Sequence, residues 1–211
     1  MQRYDLINLL IKENGYKTYL EIGVHNGDCF KRITCDIKDS VDPYPSSGFD
    51  KLPKEYPVTY KLTSDDFFDE IAPKLTYKYD IIFIDGLHLS EQTDKDVNNS
   101  LKYLSNHGTI IMHDCNPPDY SVQVVPRVSE YWSGDVWKSI VKLKHTRPDL
   151  NVFVIDSDTG LGVITKNGNP ERIVSLPDEY LDWYYFDKNR RNLLSIVTPT
   201  QFLVSLYKNK F

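Results

Sequence analysis

The sequence predicts an α/β fold, in which a mostly parallel sheet carries helices on both faces. Short apolar segments alternate with amphipathic segments along the chain, which is the pattern of strands joined by helices. The segment at 81–84 is wholly apolar, as expected of a central strand buried on both faces. A turn between Gly23 and Gly27 follows the first apolar segment, where such folds bend from a strand into a helix.

The individual elements follow from periodicity and from the residues that end them. Apolar residues at helical spacing predict a first helix at 4–14, which ends at Gly15. A helix at 90–104 has its apolar residues on one face. Two further helices are predicted at about 28–34 and 122–143. The predicted strands lie at about 18–22, 38–42, 58–62, 79–84 and 108–112.

The last third of the chain predicts a hairpin and a helical extension. Two strands around an Asp-Thr-Gly turn within 151–168 predict an antiparallel hairpin at one edge of the sheet. A helix starts at Pro177 and Asp178. No linker or repeat divides the chain, so we predict one domain over 1–211. Its extension at about 177–211 could pack on the core, cover a pocket or form the face of a homodimer.

The composition excludes several classes of protein. Hydrophobic residues make up 40% of the chain and charged residues 26%, which is typical of a folded globular protein and not of a disordered one. A formal net charge of −5 argues against a broad nucleic-acid-binding surface. No apolar run reaches the roughly eighteen residues of a membrane-spanning helix. Three cysteines without disulfide or metal-site spacing indicate reduced thiols and predict a cytoplasmic protein.

The first candidate site is the glycine loop at 21–27 (EIGVHNG). Gly23 and Gly27 allow a tight turn and a close approach of a ligand to the backbone. Glu21, before the first glycine, disfavours a pyrophosphate and suits a ligand with a cationic end. His25 lines the same loop. The alternative interpretation is an ordinary corner between a strand and a helix.

Two acidic residues after the next strands are candidates for holding a nucleoside. Asp42 follows the second strand about twenty residues past the glycine loop, where a carboxylate can accept hydrogen bonds from a ribose diol. Asp65 follows the third predicted strand and could bond an adenine amino group. The alternatives are a turn at Asp42, and a helix N-cap at Ser64 and Asp65.

The ends of the next two strands each carry an aspartate and a histidine. Asp85 and His88 follow the strand at 79–84, and His113 and Asp114 follow the strand at 108–112. Ligands of open α/β sheets bind outside the carboxyl ends of the strands, so we expect these residues at the ligand site. Asp85 and Asp114 could hold Mg²⁺ with Asn116 and water, and either histidine could accept a proton from a hydroxyl. The alternative is a helix cap at Asp85 and a supporting histidine.

Four segments, YLEIGVHNGDCF, SVDP, YDIIFIDGLHLSEQTDKDV and HGTIIMHDCNP, resemble in order and spacing the class I S-adenosylmethionine-dependent methyltransferases. More narrowly, they are similar to a bacterial methyltransferase-domain subfamily with Asp-Gly-x-His and His-Asp motifs. Its members often accompany glycan or secondary-metabolite biosynthesis. The resemblance covers about 16–165 and implies a Rossmann-like, seven-stranded, mostly parallel sheet with an antiparallel last strand.

The resemblance also implies roles for the candidate residues. Asp42 would hold the ribose hydroxyls and Asp65 would lie near the adenine. Asp85 belongs to the cofactor site and, with Asp114, matches the metal-ligand positions of related O-methyltransferases. The catechol type has Asn where this chain has Cys115. The residues implied to line the methionine part of the cofactor are Glu21, Gly23 and Gly27.

These observations predict a methyltransferase that uses S-adenosylmethionine and modifies a hydroxyl group. The expected acceptor is a small hydroxylated molecule, a sugar or sugar nucleotide first, with His88, His113 and Asp114 as catalytic residues. Two alternatives stay open: a non-catalytic cofactor-binding module, and an NAD-dependent oxidoreductase, whose usual Gly-x-Gly-x-x-Gly is missing. Nucleic-acid methylation is disfavoured because the Asn-Pro-Pro-Asp at 116–119 ends in a residue that cannot stack on a flipped base.

Overall fold

The computed structural model describes residues 1–43 and 59–208. They belong to two compact units. The first contains Gln2–Leu87 and Glu91–Ile111, and the second contains Met1, His88–Ser90 and Met112–Phe211. The prediction of a single domain over 1–211 stays a prediction. Among the described residues, no helix combines the length and the apolar character that crossing a membrane requires.

Seven strands form one sheet in the order β2-β1-β3-β4-β6-β5-β7. β1 pairs in parallel with both β2 and β3, and β5 pairs in parallel with β7 but antiparallel with β6. This confirms the predicted α/β class, a mostly parallel sheet with one antiparallel strand. The strands are β1 (Thr18–Ile22), β2 (Ile37–Val41), β3 (Tyr79–Ile84), β4 (Leu104–Met112), β5 (Asn151–Ile155), β6 (Leu161–Thr165) and β7 (Ile196–Val197).

The helices cover the central strands. Every residue of β1 is buried, and so is every residue of β3 except Asp80, which is partly exposed. Because neighbouring residues of a strand point to opposite faces, both faces of these strands are covered. The helices are α1 (Arg3–Asn14), α2 (Ser64–Asp66), α3 (Ser90–Tyr103), α4 (Tyr120–Gln123), α5 (Trp137–Thr146), α6 (Trp183–Leu193) and α7 (Pro199–Lys208).

The strand predicted at 58–62 is wrong for the residues that the structure describes. Val58 lies outside them, and Tyr60 makes a single bridge to Val41. Lys61 is exposed, so this segment lacks the two-sided burial of an inner strand. The sheet instead gains β7 from the C-terminal extension. Because β7 lies outside β5, the hairpin of β5 and β6 is not the edge of the sheet, contrary to the prediction.

Two predicted helices are much shorter than expected. The segment at 28–34 forms only a 3₁₀ turn at Phe30–Arg32, because the chain must be extended again at Ile37 to enter β2. The helix predicted at 122–143 is replaced by α4, a loop and α5. Pro126 cannot donate a helical hydrogen bond, and Gly134 has a φ of 59°, so both interrupt a helix there.

The C-terminal extension packs within the second unit. Phe186 of α6 stacks on Trp137 of α5 with 4.0 Å between the ring centroids. Leu193 and Leu194 are also buried. Of the three roles considered for the extension, packing on the core is therefore observed, and the homodimer face stays a prediction.

Candidate functional site

The glycine loop after β1 has the backbone conformation that the sequence predicts. Gly23 and Gly27 have φ values of 82° and 73°, in the left-handed region that favours glycine. The N–H of Gly23 donates to Val41 O at 2.9 Å, and that of Gly27 donates to Val24 O at 2.8 Å. A Cβ on Gly23 would lie 2.1 Å from Asp85 O. The missing side chain therefore makes room for the main chain that follows β3.

Asp42, directly after β2, holds this loop. Its Oδ2 accepts hydrogen bonds from the backbone N–H groups of Val24 at 2.8 Å and His25 at 2.9 Å. His25 has a φ of 48° and an exposed side chain, so its observed contribution is made by the backbone. A carboxylate offers about four acceptor positions, so holding the loop does not by itself exhaust this side chain. The structure brings Asp42 and the loop together, and the ribose role stays a prediction.

Glu21 is a buried carboxyl at the end of β1. Its side chain accepts a hydrogen bond from the Tyr19 hydroxyl, and only 1% of the residue is exposed. Burial raises the pKa of Glu21 to about 8, although the hydrogen bond from Tyr19 lowers it, and the charge of Asp85 raises it further. The carboxyl is therefore mostly neutral at pH 7 in the free protein. A cationic ligand would favour its ionised form.

Glu21→Gln is expected to flatten the pH dependence of stability. The unfolded chain loses this proton near the ordinary pKa of 4.5, whereas the folded chain keeps it up to about 8. Between these values the folded chain binds one proton more than the unfolded chain. The free energy of unfolding therefore falls as pH rises, by up to about 1.4 kcal/mol per pH unit. Urea unfolding at pH 5, 6.5 and 8 should show that the free energy of unfolding falls less with pH in the variant than in the wild type. The exposed Glu70→Gln is the control, and equal slopes for all three proteins would contradict the burial argument.

Asp65 lies in a polar network that the sequence did not reveal. Gln92 of α3 donates from Nε2 to Asp65 Oδ1 and to Asp96 Oδ1, each at 3.1 Å. The Ser64 hydroxyl also donates to Asp96 Oδ1, at 2.5 Å. Burial raises the pKa of Asp96 to about 6. Thr63 caps α2, so neither Ser64 nor Asp65 is the helix cap considered as the alternative.

Asp85 pairs with a residue that is distant in sequence. Nη1 of Arg3 in α1 donates to Asp85 Oδ2 at 2.8 Å. The backbone N–H of Asp85 donates to Ile22 O at 2.8 Å, which fixes the start of the segment after β3. Arg3 already neutralises the carboxylate that was predicted to bind Mg²⁺. Asp85 and Asp114 belong to different units, and their joint metal role stays a prediction.

The second unit brings two histidines and two aspartates together. Asp114 Oδ2 lies 3.3 Å from His88 Nε2 and 3.2 Å from His113 Nδ1. The other ring nitrogen of His113, Nε2, lies 3.4 Å from Asp158 Oδ1. We call His88, His113, Asp114 and Asp158 the histidine–aspartate cluster. Three of its members were predicted. Asp158 was placed only in the turn between the hairpin strands, three residues beyond the end of β5, so no signal at a strand end singled it out.

Backbone strain is concentrated in this cluster. His88, Asp114 and Asp158 have φ values of 44°, 59° and 49°, which cost about 1 kcal/mol or more each in residues other than glycine. A Cβ on Gly134 would lie 1.7 Å from His88 O, so this glycine lets the chain approach His88. Such conformations persist where the surrounding structure determines them, and they are common at functional sites. The strain therefore supports the cluster as a candidate active site.

The neighbours of the cluster in sequence have structural contacts. Cys115 is fully buried, and its thiol donates to His113 O at 3.4 Å, as expected of a packed thiol. Asn116 Oδ1 accepts a hydrogen bond from Arg190 Nη1 at 2.9 Å, which ties this loop to α6. The amide nitrogen of Asn116 lies 3.4 Å from Asp156 Oδ1. Asn116 thus helps to order the loop after β4.

Comparison with known proteins agrees with this architecture. Residues 20–115 match the model of a family described as Methyltransferase domain. The O-methyltransferase TomG from Streptomyces achromogenes, involved in tomaymycin synthesis and solved with SAM, has 15% identity and a TM-score of 0.57, covering 79% of this chain and 80% of that chain. This chain has a methyltransferase fold. The family match supports a class I methyltransferase, and the narrower bacterial subfamily stays a prediction.

Other solved methyltransferases share the fold. An O-methyltransferase from Bacillus cereus, solved with SAH, has 16% identity and a TM-score of 0.54, covering 77% of this chain and 78% of that chain. The SAH-bound methyltransferase PaMTH1 from Podospora anserina has 15% identity and a TM-score of 0.56, covering 78% of this chain and 77% of that chain. No curated protein matches this sequence. These identities are too low to transfer a substrate.

Proposed function

We propose that this chain is an S-adenosylmethionine-dependent O-methyltransferase of a small hydroxylated acceptor, a sugar or sugar nucleotide first, in glycan or capsule biosynthesis. The observation that carries the proposal is the glycine loop, held by the Asp42 carboxylate beside the buried Glu21. Three solved proteins of the same fold are described as complexes with SAM or SAH. The loop offers a backbone turn and two carboxyl groups, which suit a nucleoside with a cationic end.

The first unit supplies the groups for binding this cofactor. In the proposal, Asp42 accepts hydrogen bonds from the ribose hydroxyls, and Glu21 and the backbone of the loop face the methionine part. The raised pKa of Glu21 supports this placement, because a cationic ligand would stabilise its ionised form in a buried site. Asp65, which is partly exposed, would lie near the adenine. Asp85 contributes through the main chain beside Gly23.

The histidine–aspartate cluster supplies the groups for the acceptor. When bound, S-adenosylmethionine supplies a methyl group that its positive sulfur makes electrophilic. The cluster must then orient a hydroxyl and accept its proton, a role for which imidazole is suited near neutral pH. Asp114 contacts both rings and so fixes their positions. A positioned base contributes about a hundredfold or more to such a reaction.

Asp114→Ala is expected to bind the cofactor normally and to lose methyl transfer by about a hundredfold or more, since both rings lose their shared partner. Calorimetry with S-adenosylmethionine and S-adenosylhomocysteine measures binding. Transfer of a labelled methyl group to a panel of sugars and nucleotide sugars measures activity. The exposed Asp149→Ala is the control, because Asp149 pairs with Arg147, which does not belong to the cluster.

Several outcomes would contradict the proposal. Heat of binding with NAD but not with either adenosyl compound would favour the oxidoreductase alternative. Binding without transfer to any acceptor of the panel would favour a non-catalytic module. Methyl transfer by Asp114→Ala at the wild-type rate would show that the histidine–aspartate cluster does not take part in the reaction.

A further inference from the structure

One amide side chain of α3 contacts the Asp65 carboxylate and a second, buried carboxylate. Gln92 and Asp96 lie at positions i and i+4 of this helix, so their side chains are neighbours. Gln92 Nε2 donates to Asp65 Oδ1 and to Asp96 Oδ1, each at 3.1 Å. It also lies 3.2 Å from the hydroxyl oxygen of Ser64. All four residues belong to the first unit, and Gln92 links Asp65 to the interior of that unit.

The orientation of the Gln92 amide is determined by its acceptors. An ionised carboxylate only accepts hydrogen bonds, and both donors of a glutamine side chain are on its nitrogen. If the amide were turned round, Gln92 Oε1 would face oxygens of Asp65 and Asp96 and would be repelled by both. The nitrogen therefore lies between the two carboxylates and holds Asp65 Oδ1 in one place.

Asp96 in turn holds Gln92. Asp96 is 2% exposed, and its Oδ1 accepts a hydrogen bond from the Ser64 hydroxyl at 2.5 Å as well as from Gln92. A buried carboxylate is costly unless it has such donors. Burial raises the pKa of Asp96 to about 6, the two hydrogen bonds oppose this rise, and the charge of Asp65 adds to it. Asp96 is therefore mostly ionised at pH 8 and acts as a fixed acceptor for the amide.

Asp65 itself is too exposed to be fixed by its surroundings alone. Its side chain is 42% exposed, and its Oδ2 lies 3.4 Å from Nζ of Lys95, whose side chain is 60% exposed. An exposed ion pair of this kind contributes little and does not hold a side chain in one rotamer. The contact that orders Asp65 is therefore the one with Gln92. Each carboxylate oxygen offers about two acceptor positions, so Oδ2 can also accept a hydrogen bond from a ligand.

We propose that Gln92 and Asp96 are positioning residues that select the base of the cofactor by holding the Asp65 carboxylate. This inference rests on the proposed function, in which Asp65 lies near the adenine. A 6-aminopurine offers an N–H donor to the carboxylate, whereas a 6-oxopurine places a carbonyl oxygen there, and two acceptors repel each other. A carboxylate that could turn away would avoid this repulsion, so selection against the oxo compound requires that Asp65 be held.

The test compares the binding of S-adenosylhomocysteine and of S-inosylhomocysteine, its 6-oxo analogue, to the full chain by calorimetry at pH 8. The measured quantity is the ratio of the two dissociation constants, which a uniform loss of binding leaves unchanged. We expect the wild type to prefer the amino compound by about tenfold or more, as for a hydrogen bond to a charged group. Gln92→Met and Asp96→Leu should each lower this preference by about threefold or more. Asp96→Asn, which keeps an oxygen acceptor for Gln92, should retain it.

A double variant tests whether Gln92 acts through Asp65. Asp65→Ala should lower the preference for the amino compound, and adding Gln92→Met should lower it no further, since residues that act through one contact are not additive. The matched control is Asn98→Met, which replaces an exposed amide of the same helix and should keep the wild-type ratio. Circular dichroism verifies that each variant is folded.

Three results would overturn the inference. Equal binding of the two compounds by the wild type, or an unchanged ratio in Gln92→Met, would show that these residues do not select the base. An effect of Gln92→Met that persists in the Asp65→Ala background would show that Gln92 does not act through Asp65. Failure of the proposed function gives a different result, because the wild type would then bind neither compound, and both proposals would be overturned together.

Discussion

Gly23→Ala is expected to lower the free energy of unfolding by about 3 kcal/mol or more. The new Cβ would lie 2.1 Å from Asp85 O and 2.5 Å from its carbonyl carbon, so the main chain after β3 would have to move. The φ of 82° adds the cost of a left-handed conformation in alanine. For a chain of this size the loss corresponds to a fall in Tm of about 6 °C or more. Thermal unfolding followed by circular dichroism measures it.

Gly15→Ala is the matched control for this prediction. Gly15 ends α1 with a φ of 67°, and a Cβ there would meet nothing within 4 Å. Gly15→Ala should therefore lower the free energy of unfolding by about 1 kcal/mol, because alanine is disfavoured at a positive φ but meets no steric clash here. Equal losses for the two variants would show that the close approach of Asp85 to Gly23 does not matter, and would leave only backbone conformation as the reason for glycine.

The sequence was sufficient to place the candidate residues wherever a strand determined their position. β3 was predicted at its observed bounds because its apolar run is buried on both faces, and Asp85 follows it directly. Asp114 was located in the same way after β4. The glycine loop was also recognised, because a tight turn needs positive φ values and glycine adopts them without steric cost, as Gly23 and Gly27 do. The helix predicted after this loop is not observed. The chain has to be extended again at Ile37 to enter β2, which leaves room only for a 3₁₀ turn at Phe30–Arg32.

The partners of these residues could not be predicted from local patterns. Arg3 contacts Asp85 across 82 positions of sequence, and no periodicity links the two. Asp158 reaches His113 only because the β5–β6 turn lies beside the end of β4, as the main-chain bond from Cys115 N to Gly160 O shows. Such contacts depend on strand order in the sheet. A helix was predicted through 124–136, whereas the segment is a loop that contains Pro126 and Gly134, two residues that interrupt a helix.

Asp42→Ala is expected to weaken binding of S-adenosylhomocysteine by about a hundredfold or more. The change removes the acceptor of two backbone hydrogen bonds, from Val24 and His25, and so releases the loop. Hydrogen bonds to a charged group contribute about 1.5–3 kcal/mol each, and every 1.4 kcal/mol is about tenfold in affinity. Loss of the proposed ribose contacts adds to this. Isothermal titration calorimetry at pH 8 measures the dissociation constant.

A graded series separates the loop from the ribose. Asp42→Asn keeps an oxygen that can accept both loop bonds but lacks the charge, so its affinity should fall between those of the wild type and Asp42→Ala. Asp28, another carboxylate of this region, is exposed and pairs with Lys31, so Asp28→Ala should change affinity less than about twofold, as expected for an exposed ion pair. If Asp28→Ala were the damaging change and Asp42→Ala were neutral, the nucleoside could not lie where we place it. The order of affinity among the three variants therefore tests directly whether the Asp42 carboxylate holds the nucleoside. A general loss of folding would not distinguish Asn from Ala at the same position.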